Sequence, residues 1–368
     1  MDNVRIGMVG SGWMAKFYAE SIVKYNHHVE LIGVTGGKRA PKLAAEYDVE
    51  PIVDLDTMLG RDDVDALVMA TPHQVHAEQV IAAAKSGKHI LLEKPMAPNV
   101  PDCDAMISAC KNGGVTLAMI KSLRYWNVMA KAKTLIEEGR IGDIRMIQVT
   151  CLHNLIWTAT ADNPLTDKPW ALEPEAGGMI LDRGCHIFDM LRWLTGDEVI
   201  RVFGKINSYE AKTYHTPNAM VQLEFSRGVM AQIWMGHEVP EPTFPDTGYQ
   251  FRIWGERGLI DAEAHTVLKV SSNGEWDEIW RDPPRTEDWL EPWRLEKHFV
   301  QTQLFADNIR FNKPAAVSGE EGRAAIEIVQ ATHLSSMGGT SVNLPLPSNE
   351  GGIQFDGATV PRALIPGR

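Results

Sequence analysis

The chain has 368 residues, 44% of them hydrophobic and 23% charged, with a formal net charge of −12. That length suits roughly two domains with a core that needs no disulfide or metal staple. The acidic balance excludes a nucleic-acid or anionic-membrane surface, because either would repel the chain; no apolar run approaches the ~18 residues of a membrane span.

The polar start Met1-Asp2-Asn3 leads at once into an apolar run, leaving no room for a signal peptide; a cytoplasmic protein is expected. The four cysteines, Cys103, Cys110, Cys151 and Cys185, have no CxxC or CxxH spacing and are expected as reduced, buried thiols. Up to Ile120 one rhythm repeats. Apolar runs at Val4–Val9, Val29–Thr35, Ala66–Ala70, His89–Leu92 and Val115–Ile120 alternate with helix-length amphipathic stretches such as His76–Ser86 and Asp102–Lys111. Runs apolar on both faces, separated by helices, predict a parallel, doubly wound sheet.

The first run ends in Gly10-Ser11-Gly12-Trp13-Met14-Ala15. Gly10 permits the tight turn, Gly12 lets the backbone approach a pyrophosphate, and Ala15 lets helix and strand pack closely. The free N–H groups of the helix that follows face the phosphates. An NAD(P) site on Gly10, Ser11, Gly12, Trp13 and Met14 is therefore expected. The second run ends in Val34-Thr35-Gly36-Gly37, without the acid that binds the ribose 2′-hydroxyl of NAD. Lys38 and Arg39 follow Gly36 and Gly37 and suit a 2′-phosphate; solvated helix-start charges explain them nearly as well, so NADP is favoured by a small margin and NAD stays open. At the end of the fourth run, Glu93-Lys94-Pro95 places Lys94 where such sheets bind their ligands.

Beyond Ile120 come Arg124, Tyr125 and Trp126, a helix over Val128–Glu138, a strand over Ile144–His153 and a Pro- and Trp-bearing loop, Asn154–Glu175. Arg124, Tyr125, Trp126, His153, Asn154, Trp157 and Trp170 combine aromatic faces with hydrogen-bonding groups, which suits a sugar ring. On the helix Gly178–Leu194, Asp182, His186, Asp189 and Trp193 fall in a stripe about 60° wide. The remaining positions are mostly apolar, so the polar stripe must face a polar cavity or a partner. A satisfied buried Asp–His pair is the bland alternative. Asp182 and His186 can both ligate metal, but no third ligand is evident and none is expected.

Val199–Ile206, Met220–Phe225, Met230–Met235, Tyr249–Trp254 and Val267–Val270 alternate with period two and predict one antiparallel sheet with helices on one face. Helices near Leu295–Arg310 and Glu320–Met337 follow. The expected division is a dinucleotide-binding domain over 1–122, an α+β domain over 123–345 and an extended arm over 346–368.

These segments together resemble the Gfo/Idh/MocA oxidoreductases over nearly the whole chain. The likeness rests on the glycine turn, Ala70-Thr71-Pro72-His73 with His76, Gly87-Lys88-His89 leading to Glu93-Lys94-Pro95, Glu138-Gly139-Arg140-Ile141-Gly142, the Asp182–Asp189 helix, Phe305-Ala306-Asp307-Asn308-Ile309-Arg310 and Val342-Asn343-Leu344-Pro345-Leu346. It implies an α/β protein, with an N-terminal Rossmann domain followed by an α+β domain whose open, mostly antiparallel sheet mediates a homodimer or homotetramer. Thr71, Pro72, His73, His76 and Glu93 are expected on the cofactor side, and Lys94, Asp182 and His186 match the family's catalytic lysine, aspartate and histidine. The second-strand turn lacks the family's common acid, and the loop from Asn154 to Trp170 shows none of its patterns.

The expected reaction is hydride transfer between NAD(P) and a secondary hydroxyl or ketone of a sugar, polyol or glycoside, for example C3 of a hexosyl unit. His186 is the expected base, Asp182 orients it and Lys94 clamps the reacting oxygen, with the Lys94 and His186 roles exchangeable. Redox-assisted glycoside cleavage and a non-enzymatic nucleotide-sensing protein are the alternatives.

Overall fold

Five short apolar segments become strands because helices can cover both of their faces, and the exposed pair Glu50–Pro51 joins them by pairing at the edge. The computed structural model describes residues 3–152, 178–207, 218–236, 239, 248–284 and 290–347. The chain divides into two compact units, residues 1–125 with 286–323, and 126–285 with 324–368.

In the first unit, β1 (Val4–Val9), β2 (Val29–Thr35), β3 (Glu50–Pro51), β4 (Ala66–Met69), β5 (His89–Leu92) and β6 (Leu117–Met119) form one sheet in the order β3-β2-β1-β4-β5-β6. Every pairing in it is parallel. Between the strands run α1 (Trp13–Lys24), α2 (Ala40–Glu46), α3 (Leu55–Leu59), α4 (His76–Lys85) and α5 (Val100–Gly113). The order reverses between β1 and β4, the switch point outside whose carboxyl ends such sheets bind ligands. One core layer joins Val4, Ile6 and Met8 of β1 to Ala15, Tyr18, Ala19 and Ile22 of α1, all essentially inaccessible to solvent. This is the doubly wound architecture that the alternating runs predict.

The second unit holds α6 (Asn127–Glu137), β7 (Ile144–Leu152), α7 (Gly178–Thr195), β8 (Val199–Asn207), β9 (Asn218–Phe225), β10 (Met230–Gly236), β11 (Gln250–Gly255), β12 (Leu259–Glu263), β13 (Val267–Ser271) and β14 (Asp277–Arg281), with β15 (Val342–Asn343) near the end of the described chain. Their order is β14-β13-β12-β11-β7-β10-β9-β8-β15. The sheet is antiparallel except where β7 and β10 pair in parallel. Helix α8 (Pro292–Arg310) groups with the first unit, and α9 (Gly319–Gly338) contributes residues to both.

Alternation sets the two faces of this sheet apart. In β9 and β10 the inward positions Val221, Leu223, Ala231 and Ile233 are buried, whereas Met220, Met230 and Trp234 on the other face are 46%, 56% and 44% exposed. On the covered face, Ser335 and Ser336 of α9 accept from the backbone N–H groups of Gly204 and Ile206, both at 2.9 Å. Among the described residues no helix is long and apolar enough to cross a membrane. All four cysteines are free and buried, and burial pushes the Cys110 and Cys151 thiols up to about 12.

Candidate active site

The first unit brings its functional groups to the carboxyl ends of the strands. Gly10 takes φ +112°, and a Cβ there would come within 2.4 Å of the Ala70 carbonyl oxygen, so only glycine lets the β1 turn pass the β4 end. Gly10 N–H donates to the Thr35 carbonyl at 2.8 Å and Ser11 Oγ to the Gly36 carbonyl at 2.7 Å, joining the two glycine turns. Helix α1 starts behind Gly12 with no side-chain cap and no acid in its first turn. Its first N–H groups are thus left to a ligand, and the absence of a carboxylate leaves the positive helix end uncompensated. This arrangement fits a dinucleotide pyrophosphate.

Around the turn, Trp13 is half exposed and packs edge-on against Phe17 at 5.0 Å, with Met14 half-buried behind it. Lys38 and Arg39 are both exposed. A Cβ built on Gly12 would lie 3.8 Å from Arg39 Nη2, so this guanidinium comes over the turn.

Lys94 is half-buried just past β5, and its peptide bond to Pro95 is cis. Its backbone N–H donates to Glu93 Oε2 at 2.7 Å, while Glu93 Oε1 accepts from Tyr18 of α1 at 2.5 Å. Both partners in the second bond are buried. Burial, reinforced by the Glu93 charge, holds the Tyr18 phenol well above its ordinary range, so it stays a donor. Buried His298 stacks on Phe17 at 5.3 Å and meets Tyr18 edge-on at 5.3 Å, which fixes the α1 side of this clamp. Tyr18 thereby ties the cofactor helix to the strand end that carries Lys94.

His76 opens α4 and is fully buried. Its Nε2 lies 3.0 Å from the Thr71 carbonyl, and its Nδ1 lies 3.1 Å from the carbonyls of Pro95 and of Met96. It therefore braces the loop after β4 against the loop after Lys94. Thr71 Oγ1 donates to Gln79 at 2.6 Å, Pro72 is half-buried and His73 is buried. Burial pushes the pKa of His76 down to about 4, against the three carbonyls that favour a charged ring.

A stability consequence follows from linkage. The unfolded imidazole takes a proton near pH ~6.5 and the folded one only near pH 4, so stability is complete above about pH 6.5 and falls as pH drops towards 4. His76 alone accounts for up to roughly 3 kcal/mol of that loss; His333, pushed down to about 4 by burial, adds to it. Urea midpoints measured from pH 7 to pH 5 should decline, and His76→Gln should decline less steeply. An unchanged slope in the variant would rule out His76 as a source.

The second unit gathers a ring cluster. Asp182 and His186 lie one turn apart on α7 and are both partly exposed, whereas Asp189 is buried. His186 meets Tyr249 edge-on with centroids 6.5 Å apart, Tyr249 meets His265 at 5.4 Å, and His265 meets Trp126 at 4.5 Å. Buried Glu263 organises this turn. It accepts from the Tyr249 and His265 backbone N–H groups, both at 3.1 Å, and from the Thr266 hydroxyl at 2.8 Å. Trp126 thus shares the second unit with Asp182 and His186. Arg124 is buried in the first unit, paired to Glu321 at 2.9 Å, and Tyr125 is half-buried there. His153, Asn154, Trp157 and Trp170 lie outside the described residues.

Sequence reasoning did not single out Tyr18, Tyr249, Glu263 and His265, which contact the candidate residues or their neighbours. Tyr18 reads as one more apolar position of α1. Tyr249 and His265 flank the paired strands β11 and β12, and it is that antiparallel pairing which brings them together.

Comparison with known proteins agrees with the fold. The family pattern described as "Oxidoreductase family, NAD-binding Rossmann fold" matches residues 4–121, and that of the "GFO/IDH/MocA C-terminal domain" matches residues 129–261. The chain is similar to myo-inositol 2-dehydrogenase of Thermotoga maritima, with 27% identity over 93% of this chain and 98% of the relative. It is 34% identical to 2,7-anhydro-N-acetylneuraminate hydratase of Mediterraneibacter gnavus, over 75% of this chain and 72% of that protein. A solved structure of levoglucosan dehydrogenase with NADH and levoglucosan shares the fold, with a TM-score of 0.80 and 23% identity over 94% of this chain and all of that one.

Proposed function

The chain belongs to the Gfo/Idh/MocA oxidoreductases, an NAD-binding Rossmann unit followed by the family's C-terminal domain, and from that premise we propose that it is a dehydrogenase of a sugar, polyol or glycoside, acting on a secondary hydroxyl. The observation that carries this reading is Lys94, held at the β5 end by the Tyr18–Glu93 clamp. Relatives named as dehydrogenases of myo-inositol and levoglucosan support the substrate class.

The nicotinamide supplies the hydride acceptor when bound. The Gly10–Gly12 turn and the open end of α1 would hold the diphosphate, and Lys94 Nζ is assigned the hydrogen bond to the substrate oxygen as its proton leaves. His186 is assigned that hydroxyl proton, and Asp182, one turn away, orients the ring and balances the imidazolium. The Lys94 and His186 roles can be exchanged without altering the stoichiometry. The test is a panel of free hexoses, inositols, glycosides, uronates and aldonates with NAD⁺ and NADP⁺ supplied separately; no reduced cofactor with any member refutes the reading.

For cofactor choice, the exposed Arg39 over Gly12 and its neighbour Lys38 favour a 2′-phosphate, hence NADP. Arg39→Ala should then lower kcat/KM for NADP⁺ by ~10–100-fold, the range of a hydrogen bond to a charged group, and should lower that for NAD⁺ far less. Equal losses on both cofactors would contradict the assignment.

A second reading is redox-assisted bond cleavage, favoured by the 34%-identical relative whose name is that of a hydratase. For assembly, we propose a homodimer or homotetramer through the open sheet face, where the large apolar side chains of Met146, Phe203, Met230 and Trp234 are exposed. Phe203→Asp combined with Met230→Lys should shift the particle to monomer in light scattering; an unchanged mass would contradict it.

A further inference from the structure

Arg183 follows Asp182 on α7 and leaves the helix about 60° from His186. Its side chain is 29% exposed. Among the described residues it makes one hydrogen bond, from Nη1 to the Tyr249 hydroxyl at 3.2 Å, with the guanidinium 5.8 Å from the centre of that ring. Nε lies 3.5 Å from Asp182 Oδ2, is buried and has no hydrogen bond among those residues. Four of the five N–H donors are therefore uncommitted there. Tyr249, with Asp182, holds the guanidinium charge above its ordinary stability against the effect of burial. Tyr249 itself is buried and placed by Glu263, so the cation is fixed in position.

A half-buried guanidinium with so few partners is costly unless something anionic completes it. Oxidation of a neutral hydroxyl, as proposed above, gives it no task. Among the described residues Asp182, at 3.5 Å, is the acid paired with it, and at that distance satisfies it only in part.

We propose that Arg183 is an anion subsite beside Asp182 and His186, and that the substrate is a carboxylated sugar such as a uronate, an aldonate or an acidic glycoside. The carboxylate takes the planar fork of N–H groups bidentately, the geometry that guanidinium matches best. A single negative charge fits better than a phosphate dianion, because the Asp182 carboxylate repels each added charge at short range. The substrate class rests on the dehydrogenase reading; the subsite does not.

The test is calorimetric titration of NADH-loaded protein with methyl β-D-glucuronide and methyl β-D-glucoside, with the corresponding galactose pair, and with glucose 6-phosphate. Wild type should bind each uronide ~10–100-fold more tightly than its neutral partner. Arg183→Gln should abolish that preference. Arg183→Lys, which keeps the charge but not the fork, should retain only part of it, and carries the test alone should the glutamine variant melt early. No preference in either pair, a preference that survives Arg183→Gln, or tighter binding of the phosphate each overturns the subsite. If the preference is present and lost in Arg183→Gln, but no sugar reduces NAD⁺ or NADP⁺, the subsite stands and the dehydrogenase reading falls. Turnover of neutral glycosides without any uronide preference has the opposite meaning.

Discussion

Lys94→Ala should lower kcat by ~10²–10⁴-fold, the range measured when a positioned acid–base or oxyanion-stabilising donor is removed. The expected loss is large because so many contacts fix this residue's place. Its N–H is held by Glu93, Glu93 is held by Tyr18, and Tyr18 is packed under His298. None of these contacts involves the ammonium, so the truncation leaves the strand end in place while removing Nζ. The dissociation constant for the cofactor, followed by fluorescence, should therefore change little while turnover collapses. A kcat within ~10-fold of wild type would remove Lys94 from the chemistry.

His186→Ala should cost a similar ~10²–10⁴-fold in kcat. The two effects can be separated by what restores them. Added imidazole should recover part of the His186→Ala rate if His186 carries the proton, and a small primary amine should recover part of the Lys94→Ala rate if Lys94 acts as donor. Rescue of Lys94→Ala by imidazole, with none of His186→Ala, would exchange the roles. The double variant should lose less than the product of the single losses, because groups serving one proton transfer act as a unit. Strictly additive losses would mean that they serve different steps.

The dinucleotide unit was legible almost residue by residue. Its strands are continuous apolar runs, and a run buried on both faces has few other places in a fold. Only β3 left no such mark, since Glu50–Pro51 is two exposed residues that become a strand by pairing with Gly33 and Val34. In the second unit the period-two pattern marked β8, β9, β10, β11 and β13, but not β12 or β14. Leu259–Glu263 is short and ends in acids, and Asp277–Arg281 is mostly exposed, so both owe their conformation to a neighbour in the ladder. The parallel pairing of β7 with β10 joins segments whose separation hides any local signal.

The candidate site was legible where chemistry follows a local spacing and hidden where it depends on distant contacts. Gly10–Gly12, Lys94 and the Asp182/His186 spacing are local. The Tyr18–Glu93 bond spans 75 positions, and His265 reaches Trp126 only through the folding of the sheet. Arg183 stands beside Asp182 in the sequence, yet on a helical projection it falls outside the polar stripe. Its distinguishing property is how few partners it has among the described residues, which only the folded chain displays.

The most direct measurement is the ratio of reduced cofactor formed to substrate consumed, for whichever sugar or glycoside of the panel is converted. One NADH or NADPH per molecule consumed, with a ketone in the product, is the expected result. Substrate consumed with released aglycone and no net reduced cofactor would contradict net dehydrogenation and establish the redox-assisted reading in its place.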